Sequence, residues 1–333
     1  MEKIRQSIIA ALLKNKVIAS PDEIVDMRPA DSGITNHSYL IQTPKLSLFC
    51  KYAPGKPQGI AVAGAVENRL EIEAKAIDLL KRLNLNPANF PEVIFYDATF
   101  SVLALKQVPT GSRLLSDDLM AGKVDRTISS KMGEILASIH NASLNNPVAA
   151  HVLLGTDALE KVRIPASYQN ISPLPEIQKK ADVLADELIR NKTCIVHCDY
   201  KPNNLFVCPN GKLMVIDWEF AHYGDPAFDC GFLMGIYLHF AMVNPKKYER
   251  YLTAIEDYWR AYADNSAVKN INELEKRALM HAGVSILARL DGALKFPSSQ
   301  NEQARNTLRP LGQKMVMGNI RKVNNIRKSF KVS

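Results

Sequence analysis

TCIVHCDYKPNNLFVCPNGKLMVIDWEF, residues 193–220, holds three short apolar runs separated by polar residues, with a Pro-Asn-Gly turn at 209–211. Runs of this length bounded by turn residues read as strands, and the turn makes a hairpin. The polar residues then fall at strand ends and on the connecting loop. His197, Asp199, Asn204, Asp217 and Glu219 lie on two loops that the hairpin brings side by side. Hard cations take oxygen ligands, so an amide with carboxylates suits magnesium shared with a polyphosphate better than a thiolate-rich zinc site. Cys194, His197 and Cys198 as a zinc site lack a fourth ligand. Asp199, with four residues between it and Asn204, is free to face a substrate hydroxyl. Singly, each of these residues reads as an ordinary loop-capping Asp or Asn. The group as a whole points to chemistry.

The order His-x-Asp-x-x-x-x-Asn, then Asp-x-Glu thirteen residues on, stands here as HCDYKPNN and IDWE. It resembles the catalytic core of kinases with the protein-kinase-like fold. With the continuation FAHYGDPAFDCGFL, it more closely resembles the aminoglycoside phosphotransferase family, whose relatives include choline kinases and methylthioribose kinases. The resemblance covers about residues 30–295. It implies an α+β, bilobal protein-kinase-like fold, with a small antiparallel-sheet N-lobe and a larger, mostly helical C-lobe. It also implies ATP, with GTP as the alternative donor, and Mg2+. By that resemblance Asp199 would orient the acceptor hydroxyl and take its proton. Asn204 and Asp217 would hold magnesium, and Glu219 would assist a second ion. Lys201, at a position often His in the aminoglycoside relatives and Lys in protein kinases, would neutralise charge near the transferred group. His197 is expected to brace the loop.

Working outward, EIVDMRPA, SYLIQT and LSLFCKYA read as strands, the last two joined by a turn at Thr43-Pro44-Lys45. The apolar spacing of residues 66–83 predicts a helix, and VIFYD and SVLALKQ return to strand character. Ser32, Gly33, Thr35 and Asn36 resemble the family's phosphate-covering loop, where small residues let backbone N–H groups approach oxyanions. Lys51 stands in an otherwise apolar strand, where a buried ammonium needs a partner. It matches the family lysine that contacts nucleotide phosphates. Glu73 fits best as its partner, with Glu71 the competitor. Gln107-Val108-Pro109 would be the hinge offering backbone groups to adenine. The breaker cluster at 108–113 divides the chain into a nucleotide-binding lobe, 1–108, and a helical lobe, 109–333, with the catalytic loop and acceptor site. Helices are expected over 124–143, 176–191, 229–241, 245–264, 271–291 and 300–329.

Eleven residues separate Asp217 from Asp229, which leaves no room for a peptide-docking activation segment. Cys198 stands where a protein kinase has arginine, and no GxGxxG or Ala-Pro-Glu is present. The expected activity is therefore phosphorylation of a small-molecule hydroxyl, with a choline kinase-like or methylthioribose kinase-like enzyme as the alternative. A nucleotide- or partner-binding module without transfer is the reading from another class. The 333 residues carry 42 Lys+Arg against 34 Asp+Glu, a formal charge of +8. Residues 246–333 hold 17 basic and 8 acidic residues, and no acidic residue follows Glu302. A basic acceptor lobe disfavours polycationic aminoglycosides. Nucleic-acid binding by this tail is disfavoured too, since no recognised motif accompanies it and its apolar residues recur at helical spacing, so its basic residues are expected on a solvated helix face. Tyr248, Tyr251, Tyr258, Trp259 and Tyr262 would serve a choline cage, although core packing fits the spacing better. Arg289 and Asp291 in ILARLDG are the candidate substrate contacts, with a surface ion pair between them as the competing reading. The apolar run 232–238 is too short to span a bilayer, the first residues carry no cleavage signal, and five unpaired cysteines fit the cytoplasm. Nothing in the sequence speaks to oligomeric state.

Overall fold

Alternating side chains decide the first layer. In the computed structural model, which describes residues 2–30, 37–53 and 69–331, a five-stranded antiparallel sheet runs in the order β1-β2-β3-β5-β4. Its strands are β1 (Asp26–Pro29), β2 (His37–Gln42), β3 (Ser47–Tyr52), β4 (Val93–Asp97) and β5 (Val102–Lys106). Leu48, Cys50 and Tyr52 of β3 join Ile8 and Leu12 of helix α1 (Glu2–Lys14) in one buried cluster. Phe49 and Leu103 belong instead to the cluster that holds Leu70, Ile77 and Leu80 of helix α2 (Arg69–Arg82). A two-residue period thus gives the sheet a face for each helix. Lys51, opposite Leu103 in the β3–β5 register, alternates onto the α2 face. The helix expected over 66–83 is described only from Arg69, and Ser32, Gly33, Thr35 and Asn36 lie outside the described residues.

Beyond β5 the chain is mostly helical. In order come β6 (Arg113–Leu114), α3 (Leu115–Met120), α4 (Arg126–Ser143), α5 (Pro147–Val152), a π-turn at Leu159–Arg163 and α6 (Ile164–Tyr168). Then follow α7 (Pro175–Arg190), β7 (Cys194–Val196), β8 (Leu205–Val207), β9 (Leu213–Val215), β10 (His222–Gly224), α8 (Pro226–Val243), α9 (Tyr248–Asn265), α10 (Ile271–Leu290), α11 (Glu302–Val316) and α12 (Asn324–Ser329). The 193–220 stretch splits between two small sheets: β8–β9 is a hairpin flanked by β6, while β7 pairs with β10. The sequence showed neither β6 nor β10, each too short for a pattern.

Helix α8 is the centre of this region. It is apolar on every side and 94% buried, and among the described residues it alone has the length and composition to cross a membrane. It is the helix expected over 229–241, begun three residues earlier and ended two later. A Cβ on Gly231 would lie 1.9 Å from the Ala278 carbonyl oxygen of α10, so the close approach of these helices requires glycine.

Two expectations change here, and the choice left open for the α9 aromatic residues falls to core packing. Residues 300–329 do not form one helix: α11 ends at Val316, Gly318 adopts φ 71°, and α12 starts afresh. The aromatic residues of α9 do not form a cage. Tyr251, Tyr258, Trp259 and Tyr262 are buried, Tyr251 donates to the Leu119 carbonyl, and the Tyr262 hydroxyl bonds His140 Nδ1 at 2.8 Å. The basic tail is not a uniformly solvated face, because Arg309 pairs with Asp291, Lys322 with Glu275, and Arg327 with Glu249 and Glu256.

Candidate active site

The loop after β7 is held from below by a carboxylate. Asp229, fully buried in the first turn of α8, accepts the backbone N–H groups of His197 (2.7 Å) and Cys198 (2.9 Å). This supports a left-handed backbone at Cys198, φ 62°, unusual for a residue with a side chain. His197 Nε2 donates to the Ile216 carbonyl (2.9 Å), and its Nδ1 accepts the Asp199 N–H (3.2 Å). The ring thus ties the loop to the end of the hairpin, and burial lowers its pKa, which suits the neutral ring this pairing needs. Burial pushes the Cys198 thiol up to about 12, with Arg163 opposing, so no thiolate stands ready for zinc.

Asp199 is the focus of the loop. Asn204 Nδ2 donates to both its carbonyl (3.0 Å) and its Oδ2 (2.9 Å), and Lys201 Nζ lies 2.7 Å from Oδ2. Arg163, absent from the sequence reading, comes within 2.9 Å of Oδ1. Oδ1 is thus held by an ion pair and, buried, has no well-aligned hydrogen bond among the described residues. Burial alone would raise the Asp199 pKa. Arg163 and Lys201 outweigh it and hold the carboxyl well below the usual range.

Across the cleft, Lys51 Nζ lies 2.6 Å from both Glu73 Oε2 and Asp217 Oδ1. Glu73 is thus the lysine's helix partner, while Glu71 pairs with Lys75. Burial opposes the charge on Lys51, but Asp217 and Glu73 prevail and raise its pKa. Burial pushes the Glu73 carboxyl up against the pull of Lys51. Asp217 also takes a left-handed backbone, φ 69°, and its side chain is partly open to the cleft.

Other expected residues fall differently. Glu219 is buried and pairs with Arg69 at 2.9 Å, so a cation rather than open space faces its carboxylate. Gln107 and Val108 follow β5 at the sheet's end. The Gln107 N–H donates to the Ser47 carbonyl (2.9 Å), which continues the β3–β5 ladder one residue beyond β5. Arg289 is buried over the Phe232 ring, 4.5 Å from its centroid. Asp291 pairs with Arg309 (2.6 Å) and Arg305 (3.5 Å), so the surface pair between Arg289 and Asp291 is not formed.

No group of three or more His, Cys, Asp or Glu poised for a metal occurs among the described residues. A magnesium site needs fewer protein ligands when an amide and the oxygens of a bound polyphosphate complete it. Asn204 spends its Nδ2 on Asp199, which leaves its amide oxygen as the ligating atom, and Asp217 offers a second carboxylate oxygen. Two hard oxygen donors fit magnesium.

The family model described as "Phosphotransferase enzyme family" matches residues 26–265. A 4-hydroxytryptamine kinase of Psilocybe cyanescens is 23% identical over 166 residues, 44% of this chain and 45% of that one. The match thus spans less than half of that relative's length. Among solved structures, an ethanolamine kinase of Plasmodium vivax superposes with TM-score 0.53 at 13% identity, covering 96% of this chain and 88% of the other. An aminoglycoside phosphotransferase in ternary complex with streptomycin and ATP gives 0.51 at 14% identity, covering 93% and 97%. At these identities the likeness is one of fold, a bilobal kinase-like architecture with a sheet lobe and a helical lobe.

Proposed function

We propose, from the premise that the chain belongs to the phosphotransferase enzyme family, that it transfers the γ-phosphoryl group of ATP to a hydroxyl of a small molecule. The observation that carries this reading is the buried Oδ1 of Asp199, which lacks a well-aligned hydrogen bond and is held opposite the Lys51–Asp217 pair. A buried carboxylate oxygen without such a bond is costly, and an incoming hydroxyl would supply one. In the transfer, the acceptor oxygen bonds to the γ-phosphorus as the bond to the β,γ-bridging oxygen breaks. ADP leaves with that electron pair, and the hydroxyl proton passes to Asp199 Oδ1. The transition state is loose, so positioning and charge neutralisation account for most of the rate.

Lys51, fixed by Glu73, would hold the nucleotide phosphates, and Lys201 would meet the developing charge beside Asp199. Asn204 and Asp217 would hold magnesium, which when bound neutralises the phosphate oxygens. Glu219 would act through its pair with Arg69, joining α2 to the loop after β9. The Gln107 carbonyl and the Val108 backbone would receive the base. Five free, buried cysteines support placement in the cytoplasm.

A competing reading, nucleotide binding without transfer, draws on one observation: Arg163 and Lys201 already engage Asp199. The test is a magnesium-dependent assay of ADP release with ATP and GTP. Acceptors would be aminoglycosides, choline, methylthioribose, sugars and amino alcohols. The proposal expects acceptor-dependent turnover that disappears in Asp199→Ala. Tight ATP binding without turnover on any acceptor class supports the competitor.

A further inference from the structure

Charge around Asp199 does not balance. Two cations contact one carboxylate, Lys201 at 2.7 Å and Arg163 at 2.9 Å, and a third, Arg289, shares the Phe232 ring with Arg163, 4.5 and 5.7 Å from its centroid. Arg163 also lies over Phe220 at 4.9 Å. Both guanidinium groups are more than nine-tenths buried, yet Arg289 has no ion-pair partner among the described residues. Its Nη1 donates only to the Ser285 carbonyl (3.1 Å) and hydroxyl (2.9 Å). Arg163 Nε is buried with no hydrogen-bond partner. Burial, with Arg163 adding to it and Asp199 opposing only in part, brings the Arg289 pKa down to about 9. Arg163 is aimed inward by the π-turn Leu159–Arg163, a local distortion that often marks functional positions in helices.

We propose that Arg163 and Arg289 form the acceptor's anion-binding subsite, so that the small molecule phosphorylated here carries a carboxylate or phosphate group near its reacting hydroxyl. The inference rests on the phosphotransferase reading above and narrows it. A guanidinium offers paired N–H donors that match either oxyanion, and a dry, aromatic-walled setting strengthens the contact. An anion bound by Arg289 and by the unpartnered Nε of Arg163 supplies the missing charge. It also draws Arg163 away from Asp199, which leaves that carboxylate to the hydroxyl. The same site repels ammonium-bearing acceptors such as choline.

The test has two arms, run on the full chain. The first measures turnover with magnesium-ATP on matched acceptors: hydroxy acids against their amides, and polyol phosphates against the parent polyols. These pairs distinguish a carboxylate from a phosphate source. The expected result is an anionic member favoured over its neutral twin by about 10- to 100-fold in kcat/KM, the factor set by charged hydrogen bonds. Arg289→Gln should raise the KM for that acceptor about tenfold, with Arg289→Lys intermediate. Preference for neutral or cationic acceptors, unaffected by Arg289→Gln, overturns the proposal. The second arm needs no turnover. Inorganic phosphate and malonate are titrated calorimetrically into protein saturated with magnesium and a non-hydrolysable ATP analogue. Binding present in the wild type, weakened in Arg289→Lys and lost in Arg289→Gln supports the subsite. Absent binding, or binding indifferent to Arg289, contradicts it. Failure of the analogue itself to bind tells against the phosphotransferase reading instead, so the two failures are distinguishable.

Discussion

At the scale of single residues, three carboxylates do three different jobs, and burial with its partners separates them. Asp199 is kept ionised by Arg163 and Lys201, Glu73 is pushed toward neutrality by burial against Lys51, and Asp229 spends both oxygens on backbone N–H groups. Asp199→Asn should therefore lower kcat by about 10²–10⁴-fold while leaving calorimetric ATP binding in place. A loss of ATP affinity equal to the loss in rate would contradict the assigned role. Lys51→Met should weaken transition-state stabilisation by about 10²–10³-fold in kcat/KM for ATP, and Glu73→Gln should do less because Asp217 still holds the ammonium. Asp229→Ala strands two buried N–H donors, at about 1–3 kcal/mol for each. Urea unfolding should show a lowered midpoint, and a midpoint like that of the wild type would remove Asp229 as the brace of the loop.

At the scale of elements, what the sequence shows depends on whether a pattern is local. The loop polar residues of 193–220 and the lone lysine in β3 are legible because each departs from its surroundings within a few residues. The residues that orient them are less so. Arg163 sits in EKVRIPA, which has the composition of a surface turn, and only the π-turn reverses that impression. Asp291 reads as a neighbour of Arg289 because they are two residues apart, whereas the end of α10 sends them in different directions, one to Phe232 and one to Arg309. The break of the terminal helix is written in Gly318, but the apolar residues on either side of it keep helical spacing and hide it. The α8–α10 contact is likewise invisible in sequence, since glycine at 231 carries no sign of which backbone it meets. Gly231→Ala should destabilise the protein by about 1–3 kcal/mol through overpacking, read as a lower urea midpoint. An unchanged midpoint would mean that the two helices separate easily.

At the scale of the whole molecule, the buried histidines should lower stability on the acid side of neutrality, with Glu73, whose carboxyl burial raises to about 7, offsetting part of the loss by taking its proton in the folded state. Burial lowers the pKa values of His197, His222, His239 and His281, the last two to about 3 and about 4. In the unfolded chain an imidazole takes its proton near pH 6.5. Between that value and the lower folded one, unfolding takes up protons, so stability drops as pH falls, by about 1.4 kcal/mol per pH unit for each proton. The contribution of Asp199 has the opposite origin, a depressed carboxyl pKa, and is lost only as pH falls below the ordinary carboxylate range. Urea midpoints at pH 7.5 and 5.5 should differ accordingly. His239→Asn, which removes the ring bonded to Ser298 and Ile286, should narrow the gap. The tail of the chain acts at the same scale: Arg309, Lys322 and Arg327 answer acids of α9 and α10 and of the turn that follows α10, so its basic charge serves the fold.

The central claim is that Asp199 receives the hydroxyl of a small molecule to which ATP gives its γ-phosphoryl group. Single-turnover transfer from γ-labelled ATP, with magnesium and the acceptor panel, tests it most directly. The account predicts label appearing in an acceptor, an anionic one, in the wild type, and no label in Asp199→Asn that still binds ATP. Bound ATP with no label in any acceptor, or transfer that survives Asp199→Asn, would contradict it.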